Sequence, residues 1–146
     1  MSLSGGCQCG AVRFRVEGEP GRASICHCRM CQKAFGSLGA PLVSVPPERF
    51  TWTRGTPATF RSSPVVARGF CRDCGTPLTF AYNTPDARIY VTIGSLDDPQ
   101  LASIEIQYGL EAKISWVKFC EDVPGEITGS DPAAQAFFAG MTSNQA

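Results

Sequence analysis

Seven of the chain's eight cysteines fall in three tight groups: Cys7-Gln8-Cys9, Cys26-His27-Cys28-Arg29-Met30-Cys31 and Cys71-Arg72-Asp73-Cys74. Thiolates one or two residues apart can chelate a tetrahedral ion from a single turn, with bonds to sulfur of about 2.3 Å. Glycine stands beside these groups, as Gly5-Gly6, Gly10 and Gly75. Glycine permits the positive-φ turns that aim backbone N–H groups at crowded sulfurs. An even cysteine count also admits disulfides. Against that reading, the start Met1-Ser2-Leu3-Ser4-Gly5-Gly6 has neither the basic nor the apolar region of an export signal. A chain of 146 residues can also bury a core without staples. The expectation is a cytoplasmic protein with reduced, metal-binding thiols, the rival being redox thiols without metal.

Groups of two, three and two divide naturally between two ions. Four thiolates close a structural zinc, whereas three leave a position for water or substrate. One partition places Cys7, Cys9, Cys71 and Cys74 at one ion and Cys26, Cys28 and Cys31 at the other. A second partition joins Cys26 and either Cys28 or Cys31 with Cys71 and Cys74; spacing prefers the first, which uses all seven, without closing the second. Lys plus Arg equals Asp plus Glu at 13 each, and no polybasic run marks a nucleic-acid surface. Seven thiolates on two divalent ions would take the net charge from zero to about −3, further from a nucleic-acid partner. No apolar run approaches the ~18 residues that a membrane helix needs.

Gly and Pro are frequent, at 15 and 11, which favours short strands joined by turns. Alternation predicts strands at 11–16, 42–45 and 50–54, and a segment 58–61 that pairs back on 50–54 through Gly55-Thr56-Pro57. Further strands are expected at 65–70, 77–82, 88–93, 104–106 and 114–119. Asp131-Pro132 reads as N-cap and first residue of a short helix to about Met141. The sum is a mainly β chain, an antiparallel sheet domain with zinc knuckles and one short C-terminal helix. It is read as a single domain over 1–146, with its core at about 3–120 and an extension at 121–146.

The motifs Gly6-Cys7-Gln8-Cys9-Gly10, Cys26-His27-Cys28-Arg29-Met30-Cys31 and Phe70-Cys71-Arg72-Asp73-Cys74-Gly75 occur in that order, with Gly94-Ser95-Leu96-Asp97 and Lys113-Ile114-Ser115-Trp116. Together they resemble the glutathione-dependent formaldehyde-activating enzyme family. The resemblance implies an Mss4-like zinc fold and two zinc ions per chain. It places a structural ion at Cys7, Cys9, Cys71 and Cys74, and a second at Cys26, Cys28 and Cys31. It also implies carbon–sulfur lyase activity on a glutathione adduct such as S-hydroxymethylglutathione. One departure is Gln107-Tyr108-Gly109-Leu110-Glu111, where the family often carries His.

A three-thiolate zinc suits thiol activation better than water activation, because anionic sulfur weakens the Lewis acid. Cys26, Cys28 and Cys31 are therefore the expected catalytic residues. Arg29 and Lys33 are candidate receivers of a glutathione carboxylate, and Phe70 a candidate shield for a metal. The competing function is a non-catalytic interaction module stabilised by two structural zincs. His27, between two ligands, is read as packing beside the site rather than ligating. Cys120 is read as buried and inert in a strand 116–120, not as the redox thiol of a methionine sulfoxide reductase-like enzyme. Trp52, Trp116, Phe137 and Phe138 are read as core, and Asp97-Asp98 as a solvated turn.

Overall fold

A computed structural model describes residues 1–118, Pro124 and residues 131–139. The strands are β1 (Ser2–Gly6), β2 (Arg13–Glu17), β3 (Ala23–Cys26), β4 (Ala40–Val45), β5 (Phe50–Arg54), β6 (Ala58–Ser63), β7 (Val66–Phe70), β8 (Pro77–Tyr82), β9 (Ile89–Thr92) and β10 (Ile106–Tyr108). Helix α1 (Arg29–Phe35) lies between β3 and β4, and α2 (Pro132–Phe138) follows β10. Three strands form a small sheet in the order β1-β2-β5, and seven a large sheet in the order β10-β3-β4-β9-β8-β7-β6. All pairs are antiparallel except β10 with β3, which run parallel.

Alternation gives the large sheet two different faces. Ala23, Val43, Val45 and Val91 meet Leu3, Val12, Phe14 and Val16 of the N-terminal segment in one apolar cluster. On the opposite face Ala40 and Leu42 pack with Cys31 beneath α1, with Phe80 and Tyr90 against them. The register carries this second face across the sheet, since Cys26 pairs with Ala40, Ser44 with Tyr90, Tyr90 with Phe80, and Phe80 with Arg68. One sheet thus seals a core and presents a chemically equipped outer face.

Several sequence expectations need correction. Segment 58–61 does not pair back on β5. β5 pairs with β2, because Phe50 and Trp52 form an aromatic trio with Phe14, and β6 instead pairs with β7. Gly55 makes the intervening turn at φ 64°, where a Cβ would stand 2.2 Å from Ala11 O. The strand expected at 104–106 lies two residues later, as β10, and its parallel pairing departs from an antiparallel sheet. No strand forms over 114–118. The Val117 N–H closes a turn on Ile114 O, Val117 is buried, and Trp116 is 67% exposed rather than core. The expected environment of Cys120 lies outside the described residues, as does the side-chain packing expected of Phe137 and Phe138. The C-terminal helix starts as read, with Asp131 Oδ1 accepting from the Ala133 N–H at 3.0 Å, and it ends at Phe138, the expected end near Met141 lying outside the described residues. Helix α1 was not anticipated.

Asp97 does more than turn the chain. Its carboxylate takes a bidentate pair from Arg13, at 2.9 and 2.6 Å, and a 2.7 Å bond from the Ser4 hydroxyl. It thereby ties the β1–β2 hairpin to the segment after β9. Asp98 instead caps the next turn, accepting from the Gln100 N–H. The Arg13 bonds hold the Asp97 carboxyl below the usual carboxylate range, against the opposing effect of burial. A depressed folded-state pKa contributes stability that is full above the unfolded value near 3.9 and is lost as pH falls through the folded value. Asp97→Asn is expected to cost about 1 kcal/mol at neutral pH, discounted for partial solvent exposure. Urea denaturation at pH 7 and pH 3 checks this, and a gap between the two proteins that fails to narrow in acid contradicts it.

Candidate metal centre

The first and third cysteine groups fold into the same local device. In one, the Cys7 N–H donates to Val12 O and the Gly10 N–H to Cys7 O, with Gly10 at φ 77°. In the other, the Cys71 N–H donates to Thr76 O and the Gly75 N–H to Cys71 O, with Gly75 at φ 79°. Positive φ at both positions is the conformation glycine adopts without strain, and it turns each hairpin tip so that its sulfurs face inward. The Gln8 N–H reaches across to Thr76 Oγ1 at 3.1 Å and locks one tip against the other.

The sulfurs of Cys7, Cys9, Cys71 and Cys74 consequently all lie within 4.8 Å of one another. Cys7 and Cys9 are 3.5 Å apart, and Cys9 and Cys71 3.7 Å. A tetrahedral ion with 2.3 Å bonds spaces its sulfurs about 3.8 Å apart, so the set fits one ion, whereas a disulfide needs about 2.05 Å. All seven described cysteines are free. Crowding splits the thiols. Burial raises Cys74, but bonds from the Thr76 hydroxyl and N–H outweigh it and bring that thiol down to about 6. Cys9 has the Ala11 N–H favouring its thiolate, yet the neighbouring Cys7 sulfur and burial push it up to about 12. Four such thiols ionise together only around a cation.

The second group bridges β3 and α1. Cys26 ends β3, and Cys28 caps α1, its Sγ accepting from the Cys31 N–H at 3.4 Å. Cys31 sits one helical turn on, facing the sheet, so the three sulfurs also lie within 4.8 Å of one another. Behind Cys28 runs β10. The His27 N–H donates to Tyr108 O, and Gly109, at φ 67°, approaches so closely that a Cβ would stand 2.8 Å from Cys28 N. Buried Gln32 fastens the helix, donating to His27 O at 2.7 Å and Ala112 O at 3.1 Å. His27 is fully buried; its Nε2–H donates to Gln107 Oε1 at 2.9 Å, so the ring packs on β10, and Nδ1 has no partner. Among the described residues no fourth His, Cys, Asp or Glu joins this cluster.

A residue that the sequence reading missed stands over it. Arg68 is only 6% exposed, and its Nη2 donates to Cys31 Sγ at 3.4 Å. Its Nε donates to Ser62 Oγ at 3.1 Å, and the guanidinium lies 4.9 Å from the Phe80 ring centre. Nη1 is buried without a partner. No carboxylate pairs with Arg68 among the described residues. A buried guanidinium needs an anion, and the sulfur cluster is the group positioned to supply one. The signal for Arg68 was present, as a lone cation alternating with Val66 and Phe70 in an otherwise apolar run. Tyr82 also stands close. Burial, then the charges of Tyr90 and the three cysteines, push its phenol up.

The other residues singled out from the sequence lie differently. Arg29 and Lys33 are on the exposed side of α1, lining two open clefts of about 470 and 420 Å³, neither of which includes a cysteine in its lining. Arg29 donates from Nη1 to Gln32 Oε1. Phe70 is half-buried at the end of β7, immediately before the first cysteine of the third group.

The chain matches the family model described as glutathione-dependent formaldehyde-activating enzyme over residues 2–112. It is 32% identical, over 85 residues, to a protein of Schizosaccharomyces pombe named as an uncharacterized lyase. That match covers 53% of this chain and 56% of the relative, so the chain spans little more than half the length of that protein. A crystal structure of a Rhodobacter sphaeroides protein superposes with a TM-score of 0.54 at 22% identity, covering 71% of this chain and 98% of that one, which is a likeness of fold.

Proposed function

The chain belongs to the glutathione-dependent formaldehyde-activating enzyme family, and from that premise we infer that it is a zinc-dependent carbon–sulfur lyase acting on a glutathione adduct. The observation that carries this reading is the cluster of Cys26, Cys28 and Cys31, which has no fourth donor among the described residues. Cys7, Cys9, Cys71 and Cys74 would hold a structural zinc, and the three-cysteine cluster a second. When bound at the latter, zinc supplies an open coordination position at which a thiol loses its proton near neutral pH. The reaction class is addition of the glutathione sulfur to the carbonyl carbon of formaldehyde. The C–S bond forms, the C=O π pair moves to oxygen, and the thiol's proton ends on that oxygen as the new hydroxyl. The reverse splits the same bond.

The chain's own side chains do the rest. Arg68 offsets the excess negative charge of three thiolates around a divalent ion and presents Nη1 as an unused donor. Phe80 and Tyr90 pack against the apolar group of Cys31, Ala40 and Leu42 on that side, and the Tyr82 phenol lies near enough to feel the charge of the three cysteines. Arg29 and Lys33 on α1 would receive one carboxylate of the tripeptide, and Phe70 would shield the four-cysteine ion. Seven free thiols suit a reducing compartment such as the cytoplasm. Among the described residues no helix is long and apolar enough to cross a membrane.

The test is metal counting followed by cobalt substitution, which makes sulfur coordination visible in the absorption spectrum. Two ions per chain, with a sulfur-to-cobalt band that grows on adding glutathione and disappears in Cys31→Ser, is the expected result. A spectrum indifferent to glutathione removes the lyase reading and leaves a zinc-stabilised interaction module.

A further inference from the structure

On the outer face of the large sheet, beside the three-cysteine cluster, Arg22, Ser24, Ser44, Arg88, Tyr90 and Tyr108 line a cavity of about 280 Å³. These residues come from β3, β4, β9, β10 and the segments leading into β3 and β9, so sequence gives no hint of their meeting. No carboxylate lies in the lining, and neither arginine has an ion-pair partner among the described residues. Arg88 is fixed by a bond from its Nε to Ser44 Oγ, which leaves its terminal nitrogens free of that bond. Gly21 makes room for that guanidinium, since a Cβ there would stand 2.6 Å from Arg88 Nη2 and 2.9 Å from Ser44 O. The Ser24 and Ser44 side chains lie on a largely buried floor. Glu105, at the same edge of the sheet, turns its carboxylate to the Ala23 N–H and does not line the cavity.

Two arginines, hydroxyl groups and no acid make a receptor for an anion, and fork-shaped guanidinium donors match a carboxylate. Position selects among carboxylates. Ser24 precedes Cys26 by two residues on one strand, so it lies on the same face about 7 Å away. Tyr108 pairs in register with Cys26, and Tyr90 both lines the cavity and packs against the apolar group of Cys31, Ala40 and Leu42. A peptide thiol with its sulfur at the cluster would reach the cavity with a terminal carboxylate. We propose that the Arg22–Arg88 cavity, which shares no lining residue with the Arg29–Lys33 clefts, is the carboxylate subsite of the thiol substrate. This rests on the thiol-binding reading of the three-cysteine site, and its test separates the two.

The probe is S-methylglutathione, which keeps both carboxylates but has no thiol, compared with its dimethyl ester by calorimetry on zinc-loaded protein. The double variant Arg22→Gln/Arg88→Gln alters two exposed side chains, and its fold and metal content are checked by circular dichroism and metal analysis. Binding of S-methylglutathione is expected to weaken by about tenfold or more in the double variant, with the ester bound weakly by both proteins. Equal affinity in the two proteins, an ester bound as tightly as the acid, or no binding to the unaltered protein overturns the subsite. A parallel titration of cobalt-loaded protein with glutathione reads the other claim. An unchanged band with arginine-dependent S-methylglutathione binding leaves the subsite standing and removes the thiol-ligation reading. A band that responds equally in both proteins, with equal S-methylglutathione affinity, does the reverse.

Discussion

Cys71→Ser is expected to unfold the protein rather than to slow one reaction. Cys71 is fully buried at the tip joining β7 and β8, and its sulfur sits 3.7 Å from that of Cys9, 62 residues away in the chain. A metal holding both closes a long loop and fastens the N-terminal hairpin to the β7–β8 hairpin of the large sheet, removing a corresponding share of unfolded-state entropy. Structural zinc contributes about 10–16 kcal/mol in small zinc domains. A whole domain is stable by only about 5–15 kcal/mol. A protein that no longer holds that ion therefore loses a stabilisation comparable to the total. The expected result is a metal content of at most one ion per chain and the loss of a cooperative thermal transition above room temperature, read by metal analysis and circular dichroism. Cys31→Ser provides the contrast, losing the other ion while keeping a cooperative transition. A Cys71→Ser protein that melts within a few degrees of the unaltered chain would show that the four-cysteine centre does not hold the fold.

That contrast bears on what could be read without coordinates. The cysteine groups and the glycines beside them were legible because knuckle geometry is local: a turn of a few residues fixes the sulfurs. The strands that became β2, β4, β5, β7, β8 and β9 were legible because each carries apolar side chains at alternate positions, on the core side in most and beside Arg68 on the outer face in β7. β1 was not, since Ser2-Leu3-Ser4-Gly5-Gly6 offers a single apolar side chain. Its glycines are there because Gly5 passes so near Ser95 that a Cβ would stand 2.3 Å from the carbonyl oxygen. Helix α1 hid behind its own cysteines, with Cys28 acting as the N-cap in place of the usual hydroxyl or carboxylate residue. The run 114–118 misled because it alternates like a strand but pairs with none of the described strands, its Val117 N–H closing a local turn on Ile114 O instead. Which cysteine groups share an ion was open from spacing, because that depends on pairing between distant strands. Arg68 and the Arg22–Arg88 cavity are long-range in the same sense, the one joined to Cys31 across 37 residues and the other assembled from several strands.

Arg68 gives the sharpest test of charge at the second cluster. Three thiolates around a divalent ion leave one net negative charge, and one guanidinium in contact with Cys31 balances it. The balance works in both directions. With the cluster anionic, Arg68 is a paired buried cation; with the cluster neutral, it is an unpaired one, and an unpaired buried charge costs several kcal/mol. Arg68→Met, which keeps much of the volume without the charge, is therefore expected to weaken retention of the second ion by about 10- to 100-fold while leaving the four-cysteine ion in place. Arg68→Lys should recover only part of this, because an ammonium cannot reach Ser62 and Cys31 together as the planar fork does. Chelator competition with release followed at each site measures the retention. The second readout is a double-mutant cycle. Cys31→Ser should destabilise the protein that retains Arg68 more than the Arg68→Met protein, with a coupling of about 1–3 kcal/mol in chemical denaturation. Strictly additive losses would mean that the guanidinium and the sulfurs are neighbours without electrostatic dependence. The cluster would then have no need of its negative charge, and so no reason to keep an ion with a position open to a thiol.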